Sequence, residues 1–475
     1  MATQISSPVT SDLPDYIQAA KPNPMENRAP WYKSTAPTYA GIFLWFVFWD
    51  QMPANGLGSG GLAAALLGVV IAGLICHFLF YLVPGLLGMK TGLPLYIVGT
   101  STFGAAGGLF MPGFLMGLLQ FGWLAVNTYA SCRALLDGDS SPLFYVLCVF
   151  WAAAAAFVGL KGIQYVAKVA TFLPLIPLVV LLLALAEFGG SAASYQPAHA
   201  TSGMSMAAML AMIGAIVGFF ATAGAAGVDF GMNNRDRRDV HWGGVAGILL
   251  ATVFTAGIAN ISVAGAHASG VLPLRHGNDA AVQQDVTPLT PAEINKDDYT
   301  VTAALKAKHE GLKQLMMIGL TLAAFPGACF SSFIAANSFK TVMPRVNSFL
   351  SVGMGALVSI ILAVTKLAAD LPSVFGIIGA SFGPICGAMC VDYLLAGRRW
   401  PGPRAGFNPA GWIAWLLGFI VGIMPNLHQM SPAIPDIPAA PVAAFLVGAV
   451  VYFLCAKAGC ESKVIPYPPA ATQQP

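Results

Sequence analysis

Of 475 residues only 9% are charged and 57% are hydrophobic, and the mean hydropathy is +0.72. A soluble chain of this size needs far more charge to cover its surface, so lipid is the solvent for most of this one. The formal charge of +3 is spread over loops without a basic stripe, which argues against a nucleic-acid partner.

Taken in order, residues 1–37 form a polar, proline-rich tail. It has no apolar core preceded by positive charge, so insertion is expected to rely on the first span. Stretches of about 20 mainly apolar residues then lie near 38–58, 61–84, 109–132, 143–160, 166–188 and 206–229. Six more lie near 241–266, 313–340, 346–366, 372–396, 409–427 and 436–456. The pattern predicts an all-α integral membrane protein of about twelve transmembrane helices. Residues 38–188 would form a first repeat of five spans and 206–396 a second, followed by two spans in 409–456 and a tail at 457–475. The polar insertion 267–312 is too poor in apolar residues to span.

With the N-terminus inside, sixteen of the 23 lysines and arginines fall in cytoplasmic segments and seven outside. The positive-inside rule therefore puts both termini in the cytoplasm, in a plasma (bacterial inner) membrane.

Spans one and six each carry residues that weaken a helix. Span one holds Pro53, Asn55, Gly56 and Gly58, and span six runs Gly218-Phe219-Phe220-Ala221-Thr222-Ala223-Gly224-Ala225-Ala226-Gly227. Proline lacks the amide donor and glycine permits unwinding. Exposed backbone at membrane depth survives only inside protein or beside a wet cavity. Two interrupted helices at matching positions point to an inverted-repeat transporter with a midplane site. Close helix packing by glycine is the plainer alternative. Asp50 precedes Pro53, and a carboxylate at membrane depth normally faces the bundle interior. It is a candidate to bind the coupling cation, to carry a proton, or to cap a half-helix.

Span three places Gln120, Trp123 and Asn127 on one face, an indole flanked by two amides. Amides offer donors and acceptors together, and the indole offers a stacking surface, as a planar heterocycle requires. The same residues could equally be packed and bonded to neighbouring helices. Cys386 and Cys390 share a helix face, but without a histidine or second pair they read as packing rather than a metal site. His77 reads as a satisfied buried histidine. Asp229 and Asp392 read as interfacial ion pairs with the nearby Arg235 and Arg398.

Several blocks resemble the nucleobase–cation symporter family of cytosine and purine permeases. They are Lys90-Thr91-Gly92-Leu93-Pro94, Thr102-Phe103-Gly104, Gln120-Phe121-Gly122-Trp123, and Gly218 to Gly224 followed by Asp229-Phe230. Gly383-Pro384, Asp392-Tyr393-Leu394 and Arg398-Arg399 complete the set. The resemblance, from about residue 30 to 400, implies a five-plus-five inverted-repeat (LeuT-like) bundle and a planar base held between spans three and six. Carried over, Trp123 and Phe220 would be the stacking walls. Gln120 or Asn127 would bond the base edge, with Phe219 and Thr222 nearby. The family's polar positions on span eight are absent, since Ala323-Ala324-Phe325-Pro326-Gly327-Ala328-Cys329-Phe330 offers only a thiol. The coupling cation could then be H+ or Na+, or coupling could be lost. No organic cofactor is implied. A carrier of another small solute and a non-transporting sensor remain rivals. No zinc-protease or serine-hydrolase motif supports an enzyme.

Overall fold

The computed structural model describes residues 13–161, 172–197, 204–272, 296–343 and 345–467. Among them ten helices are long and apolar enough to cross a membrane. A split first crossing and the 17-residue helix Ser348–Val364 bring the crossings to twelve. Lys168, Arg275, His276, Asp279, the middle of the 267–312 loop and the start of span five lie outside the described residues.

Span one opens with Thr35–Phe43, breaks at Leu44-Trp45, and resumes as Phe46–Gln51. At Trp45 ψ is 122°, well outside the helical range. The break is thus some eight residues before the expected Pro53–Gly58, and Asp50 is not beside it. Pro53 sits in the first turn of the next helical stretch, where a missing amide hydrogen costs nothing. Leu44 holds no proline or glycine signal, but its carbonyl is repaid by the Trp49 Nε1 at 3.0 Å. Gly56, one of the glycines expected to unwind span one, packs it instead: a Cβ there would lie 3.1 Å from the Ala208 carbonyl oxygen of span six.

Span six likewise stays helical from Met206 to Ala225, and steps only at Ala226 before Gly227–Gly231. Gly218 lets span ten approach, since a Cβ there would lie 2.7 Å from the Phe375 carbonyl oxygen. At the step, the Ala223 carbonyl accepts the Tyr39 hydroxyl at 2.8 Å.

The spans sort into two bodies. Span six packs on spans one and two, with seven beside them and ten to twelve behind. Spans three, four, eight and nine pack on one another. The face carrying the first and last described residues, the tail face, is crossed by residues 13–34: Asn23 N donates to Gly92 O and Ala29 N to Asn233 O. On the opposite loop face a short helix, Val301–Lys308, precedes span eight and lies between the bodies.

Candidate functional site

The break in span one, the middle of span six, span three and span ten meet in a cluster of four rings. Trp123 stands edge-on to Phe219 (centroids 5.2 Å apart, 86°) and tilted to Phe375 (5.7 Å). Trp45 stacks along Phe219 at 6.3 Å and meets Trp123 edge-on at 6.0 Å. Phe219 and Phe375 are buried, while the two tryptophans are half-buried. The Trp123 indole donates to the Thr222 hydroxyl at 3.2 Å, linking the two bodies through one hydrogen bond. These five side chains are uncharged, so the cluster suits a planar, neutral solute by stacking and edge contacts.

Phe219, rather than Phe220, is the span-six ring that meets Trp123. Adjacent helical residues point about 100° apart, and the phase of span six turns Phe220 away, where it stacks on Phe43 at 5.6 Å and 13°. Asn127 is likewise spent. Its Nδ2 donates to Ala324 O at 3.0 Å, and its Oδ1 accepts from Trp151 Nε1 at 3.1 Å and Ser131 Oγ at 3.4 Å. It ties spans three, four and eight. Gln120 is held, among the described residues, only by its Nε2 donating to Met116 Sδ at 3.6 Å, a weak acceptor. It is the less engaged of the two span-three amides.

Asp50 is buried, with both oxygens engaged. Oδ1 accepts the Thr302 amide at 2.8 Å and Oδ2 its hydroxyl at 2.7 Å. The carboxylate therefore caps the first turn of Val301–Lys308, joining span one to the loop-face helix. Lys306, on that same helix, reaches Asp137 of the span three–four turn at 2.6 Å.

Other charged positions depart from expectation. Asp392 pairs with Arg404 at 2.8 Å, not Arg398, and accepts Ser101 and Thr102 hydroxyls. Asp229 accepts the Leu95 amide at 2.9 Å, while Arg235 pairs with Asp239. His77 is buried with neither ring nitrogen bonded among the described residues, and packs against His241 at 5.3 Å. No group of three or more His, Cys, Asp or Glu able to hold a metal occurs among the described residues. Sequence reasoning missed Trp45 and Phe375, because an unbroken run of large apolar residues around Trp45 carries no interruption signal.

No protein-family model and no curated protein matches the sequence. Solved structures do match its fold. Mhp1, described as a nucleobase-cation-symport-1 family transporter, in a closed conformation with bromovinylhydantoin bound, aligns over 94% of this chain and 96% of its own, with a TM-score of 0.63 and 15% identity. Its inward-facing conformation aligns over 94% and 97%, at 0.61 and 16%. A substrate-bound, outward-open Na+-coupled sialic acid symporter aligns over 93% and 92%, at 0.56 and 13%. The chain is a multi-pass membrane protein with the five-plus-five inverted-repeat, LeuT-type fold of these transporters.

Proposed function

We propose that the chain is a secondary transporter of a nucleobase or related planar nitrogen heterocycle, alternating between states open to either face around the four-ring cluster. It would be a member of the nucleobase–cation symporter family, in a plasma membrane, with the tail face and both termini cytoplasmic. The observation that carries the reading is Trp123 meeting Phe219 and Thr222 at the contact between the two bodies. A solute stacked there touches both moving parts at once, so its binding energy can couple to their relative motion. Gln120 and Thr222 are assigned the edge contacts, and Trp123 and Phe219 the walls.

Transport would be driven by a cation gradient, H+ or Na+, without an organic cofactor. Asp50 is assigned to the coupling cation, as a carboxylate that protonation would release from Thr302. Each charge crossing 100 mV supplies about 2.3 kcal/mol. The second reading, a carrier of another small solute, has one observation in its favour: a sialic acid symporter shares the fold. The uncharged ring cluster offers no partner for a carboxylate substrate, which weighs against it.

The test is uptake of labelled cytosine, adenine, hypoxanthine, uracil and allantoin into vesicles holding the purified protein, with a sodium gradient, a proton gradient or neither. Saturable uptake of one base, lost in Trp123→Ala, is expected. No uptake of any base by folded protein would overturn the proposal.

A further inference from the structure

Six of the nine tryptophans donate their indole hydrogen to an oxygen inside the protein: Trp49, Trp123, Trp151, Trp400, Trp412 and Trp415, at 2.9–3.2 Å. Trp45 does not. Its Nε1 is buried and has no hydrogen-bond partner among the described residues. Leaving such a donor unmet is costly, and natural structures rarely do so without cause. The orphan also sits in a telling place. Trp45 is the residue at which span one leaves the helical conformation, and its ring is one of the four at the candidate site, stacked on Phe219 and edge-on to Trp123.

Resting on the transport reading above, we infer that Trp45 Nε1 is a substrate-binding donor, and that the solute presents a carbonyl oxygen to it as the hydrogen-bond acceptor. The two indoles then divide the work. Trp123 has its N–H tied to Thr222 and supplies surface. Trp45 has its N–H unclaimed and supplies specificity. A buried donor that meets no acceptor rejects an analogue lacking one, because binding that analogue leaves the donor unpaired in a dry site. Trp45 would therefore discriminate between a heterocycle and its deoxo analogue, a distinction that stacking alone cannot make.

The experiment measures affinity of the full chain in nanodiscs for two matched pairs, cytosine against 4-aminopyrimidine and hypoxanthine against purine, in wild type and in Trp45→Phe, which keeps the ring and removes the donor. For at least one pair, wild type is expected to favour the carbonyl-bearing member about tenfold or more, and Trp45→Phe to level that pair. As a readout needing no variant, indole ¹H–¹⁵N spectra of wild type should show one resonance moving downfield with the carbonyl-bearing ligand and not with its partner. Equal losses for both members in Trp45→Phe, or an indole spectrum indifferent to the carbonyl, would overturn the inference while leaving the transport reading standing. If wild type binds neither these four nor any base of the uptake test, both are overturned.

Discussion

The two faces of the molecule are closed by different chemistry. On the tail face, Arg404 is buried and Arg28 half-buried, each held by several partners. Arg28 donates to the carbonyls of Met89, Asn23 and Asn234 at 2.7–3.4 Å. Arg404, 5% exposed, is gripped by Asp392 at 2.8 Å, Glu461 at 2.7 Å and the Ser101 carbonyl. On the loop face the ion pairs are at the surface: Lys306 and Lys313 to Asp137, and Lys366 to Asp139, with Asp137 half exposed. The Asp50–Thr302 contact is buried there. Buried, saturated charges resist both solvent and salt, whereas exposed pairs contribute about 0–1 kcal/mol each. Opening at the loop face therefore costs less than opening at the tail face.

The sharpest way to break the contrast is at Arg404. Arg404→Ala strands Asp392 and Glu461 without their cation, and removing one member of a buried ionic cluster costs roughly 3–5 kcal/mol. The thermal midpoint in detergent should fall by several degrees, and labelling of a cysteine placed at Ser101 from the tail side should rise. Lys306→Ala, on the other face, should leave the midpoint nearly unchanged. Similar losses in both variants would mean that the faces are not energetically distinct.

The next effect in size concerns Asp50. Hydrogen bonds to a charged acceptor contribute about 1.5–3 kcal/mol. Asp50→Ala should free the Val301–Lys308 helix and raise labelling of Ala304→Cys by an impermeant maleimide from the loop side about tenfold or more, with Cys455 and Cys460 replaced by serine. Asp50→Asn separates two roles. It keeps an oxygen for the Thr302 amide, so a purely capping Asp50 would still support gradient-driven uptake, whereas an Asp50 that carries the coupling proton would not.

The spans were legible in the sequence because each needs only length and apolar content. The finer features were not. Pro53 reads as a breaker but is harmless at the start of a helix, and Gly56 and Gly218 read as flexible but fill contacts where a Cβ would crowd a neighbouring carbonyl. The choice between Phe219 and Phe220 depends on helical phase, which residue type alone does not set. Asn127 looked available on the face of span three. Its three partners come from spans three, four and eight, and the Ala324 carbonyl that takes its amide leaves no trace in residue type. Asp50 was found by its cost in the membrane, but its partner Thr302 lies 252 residues away.

The smallest effect tests the surface pairs themselves. Asp137 is held below the usual carboxylate range, first by the hydrogen bond from Lys306 and further by the charges of Lys306, Lys313 and Arg133. Its folded-state pKa is depressed, so the stability it contributes is present above the unfolded value of about 3.9 and is lost only as pH falls through the lower folded value. Between pH 8 and 5 the Asp137–Lys306 clasp should not change. Salt should act instead, because the Debye length shrinks from about 10 Å at 0.1 M to about 3 Å at 1 M. Maleimide labelling at Ala304→Cys should rise by less than about fivefold over that range, and labelling at the tail face should not respond. A rise on acidification from pH 7 to 5 would exclude Asp137 as its source. It would point to Asp50 releasing Thr302. Repeating the titration in Asp50→Asn tests that source, and loss of the rise there would link opening of the loop face to the coupling proton.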